Sequence, residues 1–426
     1  MGVHNPPSSL EAFVLRHRDF RLLLAGQTTS QLGAQVSGVA IPLLAVLTLD
    51  ASPLQLGLLG ASSTLAFAVI GLPAGAWVDR FRRRPLLVGS DLTRCVLLAT
   101  IPLAALTGTL TMTQLIVVSL LTGVARVFFD VGYQSYLPAV VGKGQVLAGN
   151  SALEAIRASG QVVGPGLGGW LVAIAGAANV IAVQAVTFAV SAACLLGIRT
   201  AEPAPRRTEG SLREQIRAGL TFVLRTRVLR SLVLSSALGN FAFALASAVT
   251  MIFLVRELGL SPTLVGLVFA GASLTVVLGA SITPRLARRF GSARIIWLAP
   301  AVMGPFGLLA PLAQPEWSVE LVVALVLVGS ATGELGQIIY AITSVSLRQR
   351  LCPDELLGRV NATTRFAIMA LFPLGALLGG VLGEYVGLRA TLVVALGLIA
   401  VSPLPAWLAL RGIREVEEVP SWVRAG

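Results

Sequence analysis

Twelve consecutive stretches of mostly apolar residues leave this chain few ways to fold. A helix crosses the hydrocarbon core of a bilayer with about 20 residues, and only helices or closed barrels satisfy their backbone groups there. Only 12% of the 426 residues are charged, too few to cover a water-facing surface. We therefore predict an all-α integral membrane protein. Its spans lie near 20–48, 54–78, 85–107, 112–139, 151–175, 177–199, 229–255, 262–284, 293–313, 318–347, 358–384 and 388–410.

Positive charges are confined to alternate connections between these stretches. The N-terminus, every second loop and the C-terminal tail hold 26 of the 32 Lys and Arg residues, whereas the intervening loops hold only Arg256 and Arg389. This positive-inside pattern predicts that both termini are cytoplasmic. The net charge of +12 then faces anionic lipid headgroups, and we expect no nucleic-acid partner. Because Lys143 is the only lysine, the composition indicates a high-GC bacterium and its cytoplasmic membrane.

A charged stretch divides the chain into two similar halves. Residues 200–228 open with prolines and charges and continue with apolar residues at helical spacing, which predicts an amphipathic helix on the cytoplasmic surface. The sequence SPLQLGLL at 52–59 matches SPTLVGLV at 261–268. Gly164, Gly168 and Gly169 match Gly375, Gly379 and Gly380 at an offset of 211. We predict two pseudo-symmetric six-helix bundles, 1–199 and 229–426, with a binding site between them.

Apart from charges within two residues of an end, eight charged residues lie inside the apolar stretches. A charge in hydrocarbon costs at least a few kcal/mol and persists only when it is paired or adjoins water. No nucleophile motif, metal-ligand spacing or Walker A loop accompanies these charges. The pattern favours a secondary transporter without a cofactor over a membrane-embedded enzyme or a non-transporting receptor. The eight residues are Asp91, Arg94, Arg126, Asp130, Glu154, Arg157, Glu334 and Arg365.

Three of these charges are candidates for proton coupling. Arg126 and Asp130 are four residues apart and share one helix face, either as a structural ion pair or as a carboxylate that binds a proton when the arginine leaves. Glu334 has no basic residue within a helical turn. It can bind a proton, contact a cationic substrate or make a structural hydrogen bond. No histidine lies in a predicted span, so a carboxylate would carry the proton.

Other polar residues suggest contacts between the halves and a substrate cavity. Glu154 and Arg157 in the fifth span, with Arg365 at the matching level of the eleventh, predict a latch between the halves. A polar stripe on the first span predicts one wall of a central cavity. Amides with few fixed charges suit bulky amphipathic small molecules. The predicted cavity residues are Gln27, Gln31, Gln35, Asn240 and Glu334.

The loop after the second span carries a dense charge cluster, GLPAGAWVDRFRRRPLLVGSDLTR at 71–94. Such a cluster can hold a cytoplasmic gate closed; the alternative is a topology signal with a local salt bridge. The predicted gate residues are Gly75, Asp79, Arg80, Arg83, Arg84, Asp91 and Arg94. The segment closely resembles the signature loop of the major facilitator superfamily, Gly-x-Leu-Ala-Asp-Arg-x-Gly-Arg-Arg. Val78 replaces its alanine and Arg82 its loop glycine.

The resemblance extends through the whole chain and implies a functional monomer with the major facilitator fold. The variant DRFxRR, followed by Asp91 and Arg94, looks like the branch of macrolide-efflux and enterobactin-export proteins. The second copy of the loop, PRLARRF at 284–290, has Arg288 at the aspartate position. The C-terminal half is therefore expected to lack an equivalent charge cluster.

A glycine-rich segment in the fifth span adds a direction of transport. Gly160, Gly164 and Gly168 recur every four residues and make one helix face flat, while Pro165 removes a backbone donor. Together with Gly169 these residues are similar to the antiporter motif GxxxGPxxGG of drug-exporting major facilitators. The resemblance implies a proton-coupled exporter of drugs or of secreted macrolide- or siderophore-like metabolites. Uptake and lysophospholipid transport remain the alternatives.

Overall fold

The computed structural model describes residues 17–78, 81–142, 145–200, 202 and 212–415. All regular structure within these residues is helical, which confirms the all-α prediction. Eleven of the described helical segments are long and apolar enough to cross a membrane. The remaining long helix, Val146–Ala175, has 30 residues and is enriched in glycine, which lowers its hydropathy. It completes the twelve predicted spans.

The first six spans are continuous helices followed by a linker helix. Proline lies inside several of them without ending the helix. The helices are α1 (Arg18–Leu47), α2 (Pro53–Val78), α3 (Arg83–Leu106), α4 (Met112–Val141), α5 (Val146–Ala175), α6 (Ala177–Gly197) and the linker helix α7 (Leu212–Arg225).

The last six spans are less regular. The stretches predicted as single helices at 293–313, 358–384 and 388–410 are each interrupted, next to Pro305, Pro373 and Pro403, because proline lacks the N–H that would continue the helix. The elements are α8 (Arg227–Ile252) with a π-helical turn (Phe253–Glu257), α9 (Pro262–Phe290), α10 (Arg294–Met303) with a 3-10 turn (Gly304–Leu308), α11 (Leu309–Leu312), α12 (Val319–Leu351), α13 (Asp354–Ala370), α14 (Phe372–Tyr385), α15 (Leu388–Val401) and α16 (Leu404–Leu410).

Successive spans run in opposite directions, so their connections alternate between two ends of the molecule. The arginine-rich connections meet at one end, here called the basic end. Connections such as 48–52 and 258–261 meet at the opposite end, here called the far end. Within the first half α6 packs against α1 and α3, and α4 packs against α2 and α3. The two halves contact each other chiefly through α5 with α9 and through α2 with α14.

The matched sequences of the two halves begin their helices in the same way. The Ser261 hydroxyl accepts a hydrogen bond from the backbone N–H of Leu264, at 3.4 Å. In the first half Ser52 and Gln55 form a reciprocal capping box, in which the Ser52 backbone N–H donates to the Gln55 side chain at 2.9 Å. A proline follows the cap in both copies, where no backbone donor is needed. The same local chemistry therefore starts α2 and α9.

Candidate functional site

Glycines bring the two halves into backbone contact near the far end. A Cβ atom added to Gly169 of α5 would lie 2.7 Å from the Cα atom of Gly266 in α9. A Cβ atom added to Gly380 of α14 would lie 2.9 Å from the Cα atom of Gly57 in α2. These two contacts join residues that are equivalent in the repeated sequences. The interface between the halves is thus pseudo-symmetric and leaves no room for side chains at these points.

The glycine-rich segment of α5 has two contact faces. Gly160 and Gly164 lie against Gln35 of α1, and a Cβ atom on Gly168 would lie 3.2 Å from the Cα atom of Val36. The predicted flat face therefore packs within the first half, while Gly169 faces the second half. α5 stays helical through Pro165.

The charged pair on α4 is only partly enclosed by protein. The guanidinium Nε of Arg126 lies 3.7 Å from the Asp130 carboxylate, and the two side chains are 71% and 33% exposed. An exposed charge inside a span must adjoin water rather than lipid. The arginine is long, flexible and loosely held, so the pair can separate without breaking other contacts. This arrangement fits the predicted exchange of partners at Asp130.

The second ion pair of the first half is enclosed. Asp91 of α3 is 0% exposed and binds the Arg94 guanidinium one turn away on the same helix. The guanidinium carbon lies 4.5 Å from the ring centroid of Phe129 and 4.2 Å from that of Phe188. Asp91 and Arg94 thus pair with each other inside the first half. Both side chains are buried because α4 and α6 pack over the face of α3 that carries them.

The loop arginines bind the end of α6. The backbone N–H of Arg83 donates to the Glu202 carboxylate at 2.5 Å. The Arg84 guanidinium donates to the carbonyls of Leu195, at 2.9 Å, and Leu196. These contacts fasten the loop within the first half. Sequence reasoning missed Glu202, although an acidic residue directly after a span is a natural partner for this loop.

Two members of the predicted gate cannot be compared with these contacts. Asp79 and Arg80 lie outside the described residues. Gly75 lies within α2. The role of this segment as a gate therefore remains a prediction.

Of the three residues of the predicted latch, only Glu154 and Arg157 pair with each other among the described residues, and Arg365 has another neighbour. Glu154 forms an ion pair with Arg157 of its own helix, with 2.9 Å between Oε2 and Nε. The guanidinium carbon of Arg365 lies 4.9 Å from the ring centroid of Phe67 on α2. Glu154 therefore binds its neighbour on the helix, and Arg365 makes the contact between the halves by stacking on an aromatic ring.

The predicted cavity wall is only partly accessible. Gln27 is enclosed at 4% exposure, and Gln35 covers the glycines of α5. Gln31 is half-buried and stays a candidate. Asn240 donates to the Ser236 carbonyl at 3.0 Å. Two of the three glutamines of the stripe therefore serve packing of α1 in this conformation.

Glu334 keeps the features that the sequence predicted. It is half-buried on α12 and has no hydrogen bond or ion pair with another described residue. Within the described part of the chain, no group of three or more His, Cys, Asp or Glu side chains is arranged to hold a metal ion. Glu334 therefore remains a candidate for binding a proton or a cationic group.

Comparison with known protein families decides the class. The profile described as "Major Facilitator Superfamily" matches residues 23–369 and 248–424. The chain belongs to this superfamily. It is therefore a multi-pass membrane transporter and not an enzyme.

Relatives of this major facilitator include named exporters. It is 29% identical to the "Multidrug efflux pump Tap" of Mycolicibacterium fortuitum, over 87% of this chain and 90% of that protein. It is 25% identical to the "Enterobactin exporter EntS" of Citrobacter koseri, over 95% of each chain. The branch that the loop motif suggested is thus represented among its relatives.

Solved structures share the fold of this major facilitator at low sequence identity. A bacterial homologue of the iron transporter ferroportin, in an inward-facing state, aligns with a TM-score of 0.74 at 17% identity, over 92% of this chain and 99% of that one. A mutant of the nucleoside transporter NupG aligns with a TM-score of 0.76 at 12% identity, over 92% of this chain and 100% of that one. These likenesses confirm the fold.

Proposed function

We propose that this transporter exports amphipathic small molecules, either drugs or secreted metabolites, in exchange for protons. The observation that carries the proposal is the ion pair of Arg126 and Asp130, 71% and 33% exposed, within an otherwise apolar span. Charged residues inside a span are rare, and where they line a water-filled path they mark a route for ions or substrate. The relatives Tap and EntS, named as a multidrug efflux pump and an enterobactin exporter, support export over uptake.

The transport step would be a rocking of the two halves. The glycine contacts close the molecule at the far end, where Gly169 meets Gly266 and Gly380 meets Gly57. With both termini in the cytoplasm, as the positive-inside pattern suggests, the closed far end faces away from the cytoplasm. Substrate would enter from the cytoplasmic side. Opening of the far end would then require these backbone contacts to separate.

Proton exchange would accompany the rocking at a carboxylate. In this scheme Arg126 and a proton compete for the Asp130 carboxylate, so that movement of the arginine toward substrate or solvent leaves a place for a proton. Binding of a cationic or dipolar substrate near Arg126 would therefore be linked to proton binding or release at Asp130. Glu334, without a cationic partner among the described residues, is the second candidate on the opposite half.

Neutral amides at these positions should uncouple transport. In proteoliposomes with an imposed pH gradient, Asp130→Asn and Glu334→Gln should each lower gradient-driven drug transport by at least about tenfold if the carboxylate carries the proton. Glu320→Gln is the matched control, since this exposed carboxylate lies in the first turn of the same helix as Glu334. Wild-type transport that ignores the pH gradient would refute proton coupling.

The substrate class needs a separate test. Expression in a bacterial host that lacks its own drug pumps should lower accumulation of bulky amphipathic drugs, and Asp130→Asn should abolish this effect. Increased accumulation would indicate uptake instead. Movement of lysophospholipid, without any effect on drugs, would indicate lipid transport. Ligand binding by the purified protein with no movement across a vesicle would indicate a receptor.

A further inference from the structure

Two arginines lie in the far-end connections, which are otherwise free of Lys and Arg, and their contacts differ in one respect. The Arg389 guanidinium donates to the carbonyl of Ala313 at 2.8 Å and lies 3.7 Å from the Glu257 carboxylate. Both partners belong to the second half. The Arg256 guanidinium instead reaches across to the first half. It lies 2.5 Å from the Asp50 carboxylate and 3.3 Å from the Val46 carbonyl oxygen.

The backbone around Arg256 is specialised. Residues Phe253–Glu257 form a π-helical turn at the end of α8, and the Leu258 N–H bonds to the Phe253 carbonyl at 3.0 Å. A π turn adds one residue to the helical repeat and so changes the direction of the side chains that follow it. The turn therefore lets Arg256 point toward the first half while Glu257 pairs with Arg389.

Its partner Asp50 is also in an uncommon conformation. Asp50 has φ of +48°, and it is the only non-glycine residue in the described ranges with a positive φ. Aspartate tolerates this left-handed region better than most residues. Its side chain is 94% exposed apart from the contact with Arg256. The α1–α2 connection thus presents a carboxylate outward to the other half.

A second residue of the C-terminal half holds the other side of the same connection. Glu384 of α14 accepts a hydrogen bond from the backbone N–H of Leu54 at 3.3 Å, in the first turn of α2. Arg256 accordingly places a cation at the C-terminal end of α1, and Glu384 places an anion at the N-terminal end of α2. Both signs match the dipoles of the helices they approach.

We propose that Arg256 and Glu384 are positioning residues that clasp the α1–α2 connection and set how readily the far end opens. This inference rests on the proposed rocking of the halves. Each contact alone is weak because it is exposed. A transporter, however, must pass between two conformations of similar free energy, so even a weak contact present in only one of them shifts their ratio. Loss of Arg256 should increase the far-end-open fraction about three- to tenfold.

Distances between spin labels at the far end test the proposal. Cysteines placed at the exposed residues Thr109 and Glu316, one in each half, would be labelled after replacement of Cys95, Cys194 and Cys352. In the protein reconstituted in nanodiscs, Arg256→Gln should raise the long-distance population about three- to tenfold. Asp50→Asn should act similarly, and the double variant should add little, because both changes remove the same contact.

Arg389→Gln is the matched control. It removes an equal charge at the same end, but the contacts of Arg389 lie within one half, so the distance distribution should stay as in the wild type. An unchanged distribution in both Arg256→Gln and Asp50→Asn, or an equal shift in Arg389→Gln, would overturn the clasp. The distances do not depend on substrate. A wild type that shows no pH-driven transport while Arg256→Gln shifts the distances would therefore refute the proposed function and leave the clasp standing.

Discussion

Gly169→Val should nearly abolish transport and shift the transporter away from the far-end-closed conformation. A Cβ atom at this position would lie 2.7 Å from the Cα atom and 2.9 Å from the backbone nitrogen of Gly266. Neither atom can move without displacing α9. Overpacking of this kind costs about 1–3 kcal/mol, which lowers the closed population by roughly five- to 150-fold. Transport in proteoliposomes and the far-end label distances would measure both effects.

The repeated architecture supplies a second test and a control for this prediction. Gly380→Val should act like Gly169→Val, because its added Cβ atom would meet the Cα atom of Gly57 at 2.9 Å. Gly397→Val also replaces a helical glycine, but no atom lies within 4 Å of its added Cβ. It should therefore transport normally. Equal losses in all three variants would show that the interface contact is not the cause.

Asp91→Asn should strongly destabilise the protein. The substitution leaves the Arg94 guanidinium, 6% exposed, without its counter-charge between two aromatic rings. Removing one partner of a buried ion pair costs about 3–5 kcal/mol. Thermal unfolding of the purified protein in detergent would measure the loss. Replacing both partners, as in Asp91→Leu with Arg94→Met, should recover most of the stability.

The ion pair of Glu154 and Arg157 on α5 is exposed, in contrast to the enclosed pair of Asp91 and Arg94. Glu154→Gln removes a carboxylate from an i, i+3 ion pair that water reaches on both sides, so the expected cost is below about 1 kcal/mol. Equally small losses of stability in Asp91→Asn and Glu154→Gln would mean that water reaches Asp91 and Arg94 in the folded protein.

The sequence was sufficient for the spans and for the equivalence of the two halves. Apolar length determines a span, and the repeated glycines predict that Gly169 and Gly380 are corresponding positions. It was not sufficient for the partners of the charges. Asp91 faces the interior of the first half, Arg365 stacks on Phe67, and Glu202 accepts a hydrogen bond from the backbone of Arg83.

Which partner a charged side chain meets depends on the rotation of its helix about the helix axis. A span that is apolar on all sides carries little periodic signal for that rotation. Successive residues of a helix point about 100° apart, so a rotation of the helix by one residue gives each side chain a different neighbour. The interruptions after Met303 and Ala370 were missed for a related reason, because proline occurs both in continuous helices such as α4 and at the breaks.

The uneven distribution of these interruptions gives the two halves different stiffness. The N-terminal bundle consists of uninterrupted rods, whereas three spans of the C-terminal bundle are jointed. Each joint removes main-chain hydrogen bonds and provides a place where a span can flex. The first half would then serve as a rigid frame and the second as the compliant part, so among the amides within the spans hydrogen exchange should be fastest next to Pro305, Pro373 and Pro403.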